Sequence, residues 1–440
     1  MVLSPKEYRR RRQRLMRMMG KGSIAIIPAA PVAVRNRDVE YPYRPDSDFY
    51  YLTGFAEPEA VAVLIPGRKP AEYVLFCRER DPEKERWSGE RAGQQGAVEA
   101  FAADDSFPID DLEDILPNML EPCQRVYYAM GADAELDRRV AEWVGKIRRK
   151  GRSGISGPLE FIALDHLLHD MRLFKSRQEV ALLRKAARIS ARAHRRLMRT
   201  VTPGMYEYAL EAEFQHECAR QGARFPAYPA IVGGGANACI LHYIDNAAPL
   251  RDGDLVLVDA GCELELYASD ITRTFPVNGR FSEAQRTLYE LTLQAQLAAL
   301  AKVRPGNHWN EPHEAAVRVV TQGLVELGIL RGKVAALLRE EAYKPYYVHR
   351  TGHWLGMDVH DVGDYKVDGQ WRTLEPGMVL TVEPGLYIPP ESKGVAKRWW
   401  GIGIRIEDDV LVTKEGHEIL SAEVPKRVEE IERLMARRRR

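Results

Sequence analysis

The chain lacks the features of a disulfide-stabilised or cysteine–zinc protein. It has only five cysteines in 440 residues, widely spaced and without a CxxC pair. They are Cys77, Cys123, Cys218, Cys239 and Cys262. Few, scattered and odd-numbered cysteines argue against both a disulfide framework and a cysteine-bound zinc ion, and they are typical of a reducing compartment. We therefore expect a cytoplasmic protein.

Long apolar runs and an excess of one charge are also absent. No stretch reaches the roughly 20 consecutive apolar residues of a membrane span. The apolar stretch 23–34 follows an arginine-rich segment, but two prolines interrupt it and no cleavage site precedes Arg35 and Arg37, which argues against a signal peptide. Lys plus Arg number 64 and Asp plus Glu number 63, so the net charge is +1. We expect neither a membrane nor a nucleic acid as a partner.

The first part of the chain alternates short apolar stretches with helical patterns, which predicts a small α/β domain. The predicted strands are 23–27, 60–65, 72–76 and 125–130, and the predicted helices are 4–19 and 134–149. The glycine-rich stretch 151–157 ends this pattern, and Ser176 with Glu179 forms a capping-box signature for a long helix. We therefore predict two domains, residues 1–172 and 173–440.

The second domain carries carboxylates at the ends of two predicted strand pairs. Asp259 ends an apolar strand and Asp270 opens the next one, at 270–277. Glu383 ends a strand before a Pro-Gly turn, and Glu407 lies in a predicted strand over 403–412. Alone, each is a turn former or a solvated strand end. Two such pairs favour a metal site, because a buried carboxylate must be paired or bound to a cation. Helices are predicted at 176–200, 205–221, 282–303 and 311–327.

Histidines are concentrated in one short segment of this domain. His349, His353 and His360 lie within residues 349–361, although the whole chain has only 11 histidines. For each histidine alone, the alternative is an ordinary core or surface residue whose ring nitrogens are hydrogen-bonded. That alternative is weaker for all three histidines together. With His353 as a fifth ligand, four carboxylates and one imidazole suit two divalent ions, in first place Mn²⁺, with Zn²⁺, Co²⁺ or Fe²⁺ as alternatives.

These segments resemble the pita-bread metallopeptidases, most closely the family of bacterial Xaa-Pro aminopeptidases (aminopeptidase P). The stretches EYPYRPDSDFYYLTGFAEPEAV, GHWLGMDVHD and GIGIRIEDD are similar to that family's motifs, and the likeness covers nearly the whole chain. It implies an α/β (α+β) protein with a small N-terminal α/β domain followed by a C-terminal pita-bread metallopeptidase domain. The ordered set of metal ligands that it implies is Asp259, Asp270, His353, Glu383 and Glu407, in which Asp270 and Glu407 would bridge the two ions.

The resemblance also implies roles beside the metals. His242, His349 and His360 match non-ligand histidines of the active site, and Arg405 matches an arginine that orients ligands or contacts a substrate carboxylate. Trp87 resembles an aromatic residue that a neighbouring subunit lends to the site, which implies a homo-oligomer, either a dimer or a tetramer.

The implied function is release of the N-terminal residue from peptides with proline second, by attack of a metal-bridging hydroxide. Glu383 would move the proton, while His360 and His242 would stabilise the oxyanion. Prolidase, which cleaves Xaa-Pro dipeptides, is the alternative. Methionine aminopeptidase lacks the large N-terminal domain, and creatinase-like enzymes work without these ligands. A non-catalytic binding module on the same fold is disfavoured because the full ligand set is present.

Overall fold

The structure, a computed structural model, describes residues 3–155 and 157–436. These residues divide into two compact units, one that ends at Arg172 and one that begins at Leu173. No helix among the described residues is long and apolar enough to cross a membrane.

The N-terminal unit is built on a six-stranded mixed sheet in the order β6-β5-β4-β1-β7-β8. The strand β1 pairs antiparallel with β4 and parallel with β7, and its residues are almost entirely buried. The four strands predicted in this part of the chain are confirmed. The strands are β1 (Ser23–Pro28), β2 (Val34–Asn36), β3 (Val39–Glu40), β4 (Val61–Leu64), β5 (Tyr73–Cys77), β6 (Asp105–Pro108), β7 (Arg125–Tyr128) and β8 (Glu160–Ala163).

Apart from the short helix Pro82–Ser88, which has no buried residue, the helices of this unit bury apolar side chains. Leu136, Val140 and Trp143 recur at helical spacing and lie in a core formed with the central strands. Both helices predicted here are confirmed. The helices are α1 (Pro5–Met19), α2 (Ser47–Thr53), α3 (Pro82–Ser88), α4 (Gly93–Glu99), α5 (Leu112–Leu120), α6 (Ala134–Arg148) and α7 (Asp165–Leu173).

In the C-terminal unit, long amphipathic helices cover several small antiparallel sheets. The capping box of Ser176 and Glu179 is present and starts α8, as predicted. All four predicted helices are confirmed within a few residues. The helices are α8 (Arg177–Thr200), α9 (Glu207–Ala219), α10 (Glu283–Leu300), α11 (Glu311–Glu326), α12 (Val334–Arg339) and α13 (Val428–Ala436).

The sheets of this unit have the orders β10-β11-β14, β13-β12-β9, β17-β20-β21, β18-β19 and β15-β16. Their strands are β9 (Phe225–Pro226), β10 (Ile231–Gly234), β11 (Leu255–Asp259), β12 (Cys262–Leu264), β13 (Tyr267–Ala268), β14 (Thr272–Pro276), β15 (Lys366–Val367), β16 (Gln370–Trp371), β17 (Val379–Val382), β18 (Gly385–Ile388), β19 (Ile402–Arg405), β20 (Asp408–Val412) and β21 (His417–Ile419). The first predicted strand pair is confirmed, since β11 pairs antiparallel with β14.

The predicted single strand over 403–412 is wrong. It is two strands in two sheets, because β19 pairs with β18 while β20 pairs with β17. Pairing of this segment with β18 ends before Ile406, and pairing with β17 begins at Asp408. Glu407 lies in this break, where its N–H donates to the carbonyl of Thr272 on β14 instead of to β17 or β18. The break therefore turns Glu407 towards the first pair of carboxylates.

Candidate metal centre and active site

The first two candidate ligands come from the β11–β14 hairpin. Asp259 is the last residue of β11, and Asp270 precedes β14 by two residues. The two stretches approach so closely that a Cβ on Gly261 would lie 1.6 Å from the Ser269 carbonyl oxygen. Only glycine fits there. The hairpin thus holds two buried carboxylates side by side, as the sequence predicted.

The other two carboxylates come from the second strand system. Glu383 directly follows β17, and its N–H donates to the carbonyl of Thr351 at 2.8 Å. Glu407 is 1% exposed, and its Oε2 accepts from the hydroxyl of Thr272 at 2.6 Å. The four predicted carboxylates therefore converge, although they are separated by up to 148 positions along the chain (259 to 407).

His353 faces these carboxylates with one ring nitrogen. Its Nε2 lies 3.3 Å from Asp270 and 3.7 Å from Glu383, while Nδ1 lies 3.0 Å from the carbonyl oxygen of Trp354. A Cβ on Gly352 would lie 2.1 Å from the carbonyl oxygen of Thr381, so only glycine lets the segment approach β17 this closely. The backbone carbonyl fixes the ring and leaves Nε2 for the carboxylates, which is the arrangement of a metal-ligating histidine.

The cluster contains more carboxylates than neighbouring cationic side chains, so its charges balance only when further cations bind. Burial, with repulsion from its neighbours, raises the pKa of Asp259, raises that of Glu383 to about 7, and raises that of Glu407 well above its ordinary value. Although burial opposes both shifts, the hydrogen bond between His353 and Asp270 lowers the pKa of Asp270 and raises that of His353 to about 9. Carboxylates that repel one another this strongly ionise together only beside added positive charge.

The donor set fits divalent metal ions. Asp270, His353 and Glu407 each offer one ligand atom, and these atoms all lie within 4.8 Å of one another. Asp259 and Glu383 add carboxylate oxygens at the edge of this group, which makes a mostly hard-oxygen site with one imidazole. The structure brings all five predicted ligands together; that each of them binds an ion stays a prediction.

Arg405 is buried against the ligands rather than extended towards solvent. Its Nη2 donates to Asp259 at 2.6 Å, its Nε donates to the Thr272 hydroxyl at 3.2 Å, and its Nη1 donates to the Tyr387 hydroxyl at 2.9 Å. Tyr387 in turn lies 2.8 Å from Nε2 of His349. Of the two roles left open for Arg405, these contacts fit the orientation of a ligand.

The predicted histidines line a single cavity of about 420 Å³ that has the carboxylates in its wall. His242 and His360 are exposed, whereas His349 is half-buried. The ring of His360 packs edge-on against that of His353 with centroids 4.3 Å apart. Apolar side chains complete the wall; they are Pro229, Ile231, Leu241, Ile244 and Val359. Such a cavity suits a small ligand held between the apolar wall and the carboxylates.

Sequence reasoning missed Tyr228, Thr272 and Tyr387. The hydroxyl of Tyr228 lies 2.6 Å from Asp259 and 2.5 Å from Asp270, and it stands between the two. None of the three follows a motif or a periodicity that marks a site.

Two family models match the chain. Residues 181–414 match the model described as metallopeptidase family M24, and residues 8–127 match the N-terminal domain of aminopeptidase P. The first match contains all five predicted ligands and covers more than half of the chain.

Relatives of similar length agree with these models. The chain is 49% identical to the Xaa-Pro aminopeptidase of Escherichia coli K12, across 100% of this chain and 99% of the relative. It is 34% identical to Xaa-Pro aminopeptidase 3 of Homo sapiens, across 98% and 86% of the two chains. A solved aminopeptidase from Pseudomonas aeruginosa superimposes with a TM-score of 0.98 at 60% identity, covering 100% of this chain and 99% of the other.

The fold and the cluster of ligands define a metal-dependent hydrolase. Within that class, the chain belongs to metallopeptidase family M24, as a member that carries the N-terminal domain of aminopeptidase P. The family resemblance and the α/β fold with a C-terminal pita-bread domain, both predicted from the sequence, are confirmed.

Proposed function

We propose that the chain is an exopeptidase that releases the N-terminal residue from peptides with proline at the second position. The observation that carries this proposal is the convergence of four carboxylates and His353 in the wall of a cavity that also holds three other histidines. Similarity along the full length to Xaa-Pro aminopeptidases supports it and does not favour the prolidase alternative. An aminopeptidase P from Escherichia coli has been solved in complex with substrate and shares the fold with a TM-score of 0.97.

We propose Mn²⁺ as the native metal, because oxygen donors outnumber the single imidazole. Two divalent ions in such a site supply a water molecule of lowered pKa and polarise the scissile carbonyl. The residues that would hold them are Asp259, Asp270, His353, Glu383 and Glu407. A zinc-substituted aminopeptidase P from Escherichia coli has been solved with product, so Zn²⁺ is the first alternative to exclude by metal analysis.

In the proposed reaction, Glu383 has a second role as a carrier of protons, and side chains outside the ligand set have roles of their own. Glu383 follows a rigid strand at the cavity wall, where its carboxylate can take a proton from the attacking water and pass it to the proline nitrogen. His360 and His242 reach the cavity from its exposed side and can donate to the developing oxyanion. Tyr387 and Arg405 hold His349 and Asp259 in place.

Substrate choice is the experiment that tests the proposal. Proline at the second position presents a tertiary amide without an N–H, so the apolar wall of the cavity can face it without leaving a donor unpaired. We expect Xaa-Pro-Yaa peptides to be cut after the first residue, Xaa-Pro dipeptides to be cut slowly, and Xaa-Ala-Yaa to be poor. Glu383→Gln protein from the same purification controls for contaminating peptidases. Fast cleavage of dipeptides with refusal of tripeptides would instead identify a prolidase.

We also propose a homo-oligomer, a dimer or a tetramer, in the cytoplasm. Trp87 lies on the short helix α3 with its side chain 92% exposed, and an aromatic residue of this size is more commonly covered. The cysteines that sequence analysis found unpaired are all free thiols, which suits a reducing compartment. Light scattering on wild-type and Trp87→Ala protein tests the oligomer; an unchanged mass together with unchanged activity would remove Trp87 from the interface.

A further inference from the structure

Behind the candidate ligands, charged side chains connect the two strand systems. Asp270 leads into β14 and Glu407 leads into β20, and these strands belong to different sheets. Strand pairing therefore does not join the two carboxylates that are predicted to bridge the metals. A hydrogen bond from the Glu407 N–H to the carbonyl of Thr272 links their backbones, and side chains that cross from one strand to the other add to the control of the distance between them.

Arg273, on β14, reaches across to Glu407. It is fully buried, and its Nη1 donates to the carbonyl oxygens of Glu407 and Thr272. Because Glu407 lies in the break between β19 and β20, its carbonyl is outside both ladders and accepts from this side chain. Nη2 of Arg273 donates to Asp408 at 2.7 Å, and Lys426 donates to the other oxygen of Asp408 at 2.7 Å.

Asp409, on β20, makes the reciprocal contact. Its two carboxylate oxygens lie 3.1 and 3.2 Å from the backbone nitrogen of Asp270 and accept its N–H. The side chain is 1% exposed, and the backbone at Asp409 is paired with Thr381 on β17. Each predicted bridging carboxylate is thus anchored at its backbone by an ionisable side chain from the strand that follows the other.

We propose that Arg273 and Asp409 are positioning residues that set the separation of Asp270 and Glu407 and thereby the affinity of the site for its second metal ion. The inference rests on the proposed metal site, and neither residue lines the cavity. Outer residues that orient metal ligands typically change metal affinity or activity by about 10–100-fold when they are replaced. We expect effects of that size from these two.

The test is calorimetric titration of chelator-treated, full-length protein with Mn²⁺. Asp409→Ala removes both acceptors, and we expect it to weaken binding of the second ion about 10–100-fold. Asp409→Asn keeps one oxygen acceptor and should lose less. Arg273→Lys keeps the positive charge but removes the guanidinium group that donates to the carbonyl of Glu407, so it should also weaken binding of the second ion. Spin coupling between two bound Mn²⁺ ions, read by electron paramagnetic resonance, should fall in the same order.

Glu179→Gln is the matched control, since it also converts a buried carboxylate to an amide but lies in the capping box of α8. It should bind two ions as the wild type does. Urea unfolding of each metal-free variant separates positioning from general stability. The proposal is overturned if Asp409→Ala and Arg273→Lys bind the second ion with wild-type affinity, or if all variants lose affinity only in proportion to their loss of stability. The readout is metal binding, so the result of this test does not depend on the outcome of the peptide test of the proposed function.

Discussion

Among the residues that the structure describes, two clusters of histidine and carboxylate bring their ligand atoms close enough to hold an ion, and their charges differ. In the N-terminal unit the cluster is Asp48, Asp165 and His169, and in the C-terminal unit it is built around Asp270, His353 and Glu407. Arg172 donates to Asp48 at 2.7 Å in the first, and His169 lies 3.1 Å from the same carboxylate. The first cluster therefore carries its own cations.

Both clusters contain an aspartate whose pKa is lowered, but the C-terminal cluster also contains carboxyl groups whose pKa values are raised. Although burial opposes it, the hydrogen bond from His169 and the charge of Arg172 lower the pKa of Asp48. In the C-terminal unit, burial and mutual repulsion raise the pKa values of Glu383 and Glu407. Short distances between possible ligands are common to both clusters. An excess of buried negative charge is what distinguishes a site that requires a metal from a set of structural ion pairs.

Removing Glu407, one of the two carboxylates predicted to bridge the metals, should have the largest effect on metal binding and activity. We expect Glu407→Ala to lose at least one metal ion per chain and to lose more activity than the roughly 10–100-fold typical of outer residues. Asp165→Ala, which removes a carboxylate from the N-terminal cluster, should keep both ions and wild-type turnover. Metal analysis and peptide assays on the two variants decide the matter. Two retained ions and normal rates in Glu407→Ala would mean that Glu407 is not a ligand.

Removing a side chain that donates to the reaction should lower turnover without disturbing the metals. We expect His360→Ala to reduce kcat about 10²–10³-fold, the usual scale for one oxyanion donor. Its metal content should stay at the wild-type value, because His360 contacts His353 by ring packing and lies at the exposed side of the cavity. A variant that loses metal instead would move His360 into the ligand set.

The metal-free protein should respond to pH through its excess carboxylates. The folded-state pKa of Glu383 is about 7, above its ordinary value of 4.5, so the folded state binds more protons between those values. The contribution of Glu383 to the free energy of unfolding must then fall as pH rises through this range, by on the order of 2–3 kcal/mol between about pH 5 and about pH 8. Buried histidines with lowered pKa values contribute in the opposite direction, so the measurement is the difference between chelated wild-type and chelated Glu383→Gln protein, each unfolded in urea at both pH values. A wild-type-minus-variant difference that rises with pH would contradict the charge imbalance.

The smallest expected effect belongs to the N-terminal cluster. Arg172→Met removes the main cation from the half-buried Asp48 and should cost about 2 kcal/mol in the free energy of unfolding, below the range for fully buried pairs. Metal content and turnover should not change. Because the pKa of Asp48 is lowered, its stabilising contribution is present above the ordinary carboxyl range and is lost only in acid. A loss of bound metal in Arg172→Met would make the N-terminal cluster a metal site after all.

Local sequence was informative where a ligand follows an apolar strand. Asp259 and Glu383 were found because each ends a run of buried residues, and buried strand ends are unusual places for charge. Glu407 was found by motif, but its backbone was predicted wrongly, since the break between two ladders depends on pairing with distant strands. Tyr228 and Tyr387 gave no signal, because their contacts lie 31 and 18 residues away and arise only from packing.

Calorimetric titration of chelated wild-type protein with Mn²⁺ tests most directly whether the four carboxylates require cations. Carboxyl groups with raised pKa values hold protons near neutral pH, and metal ions displace them. Titrations in buffers of different ionisation enthalpy should show two ions bound per chain with net release of protons. Failure to bind a second ion, or binding of two ions without proton release, would contradict the account.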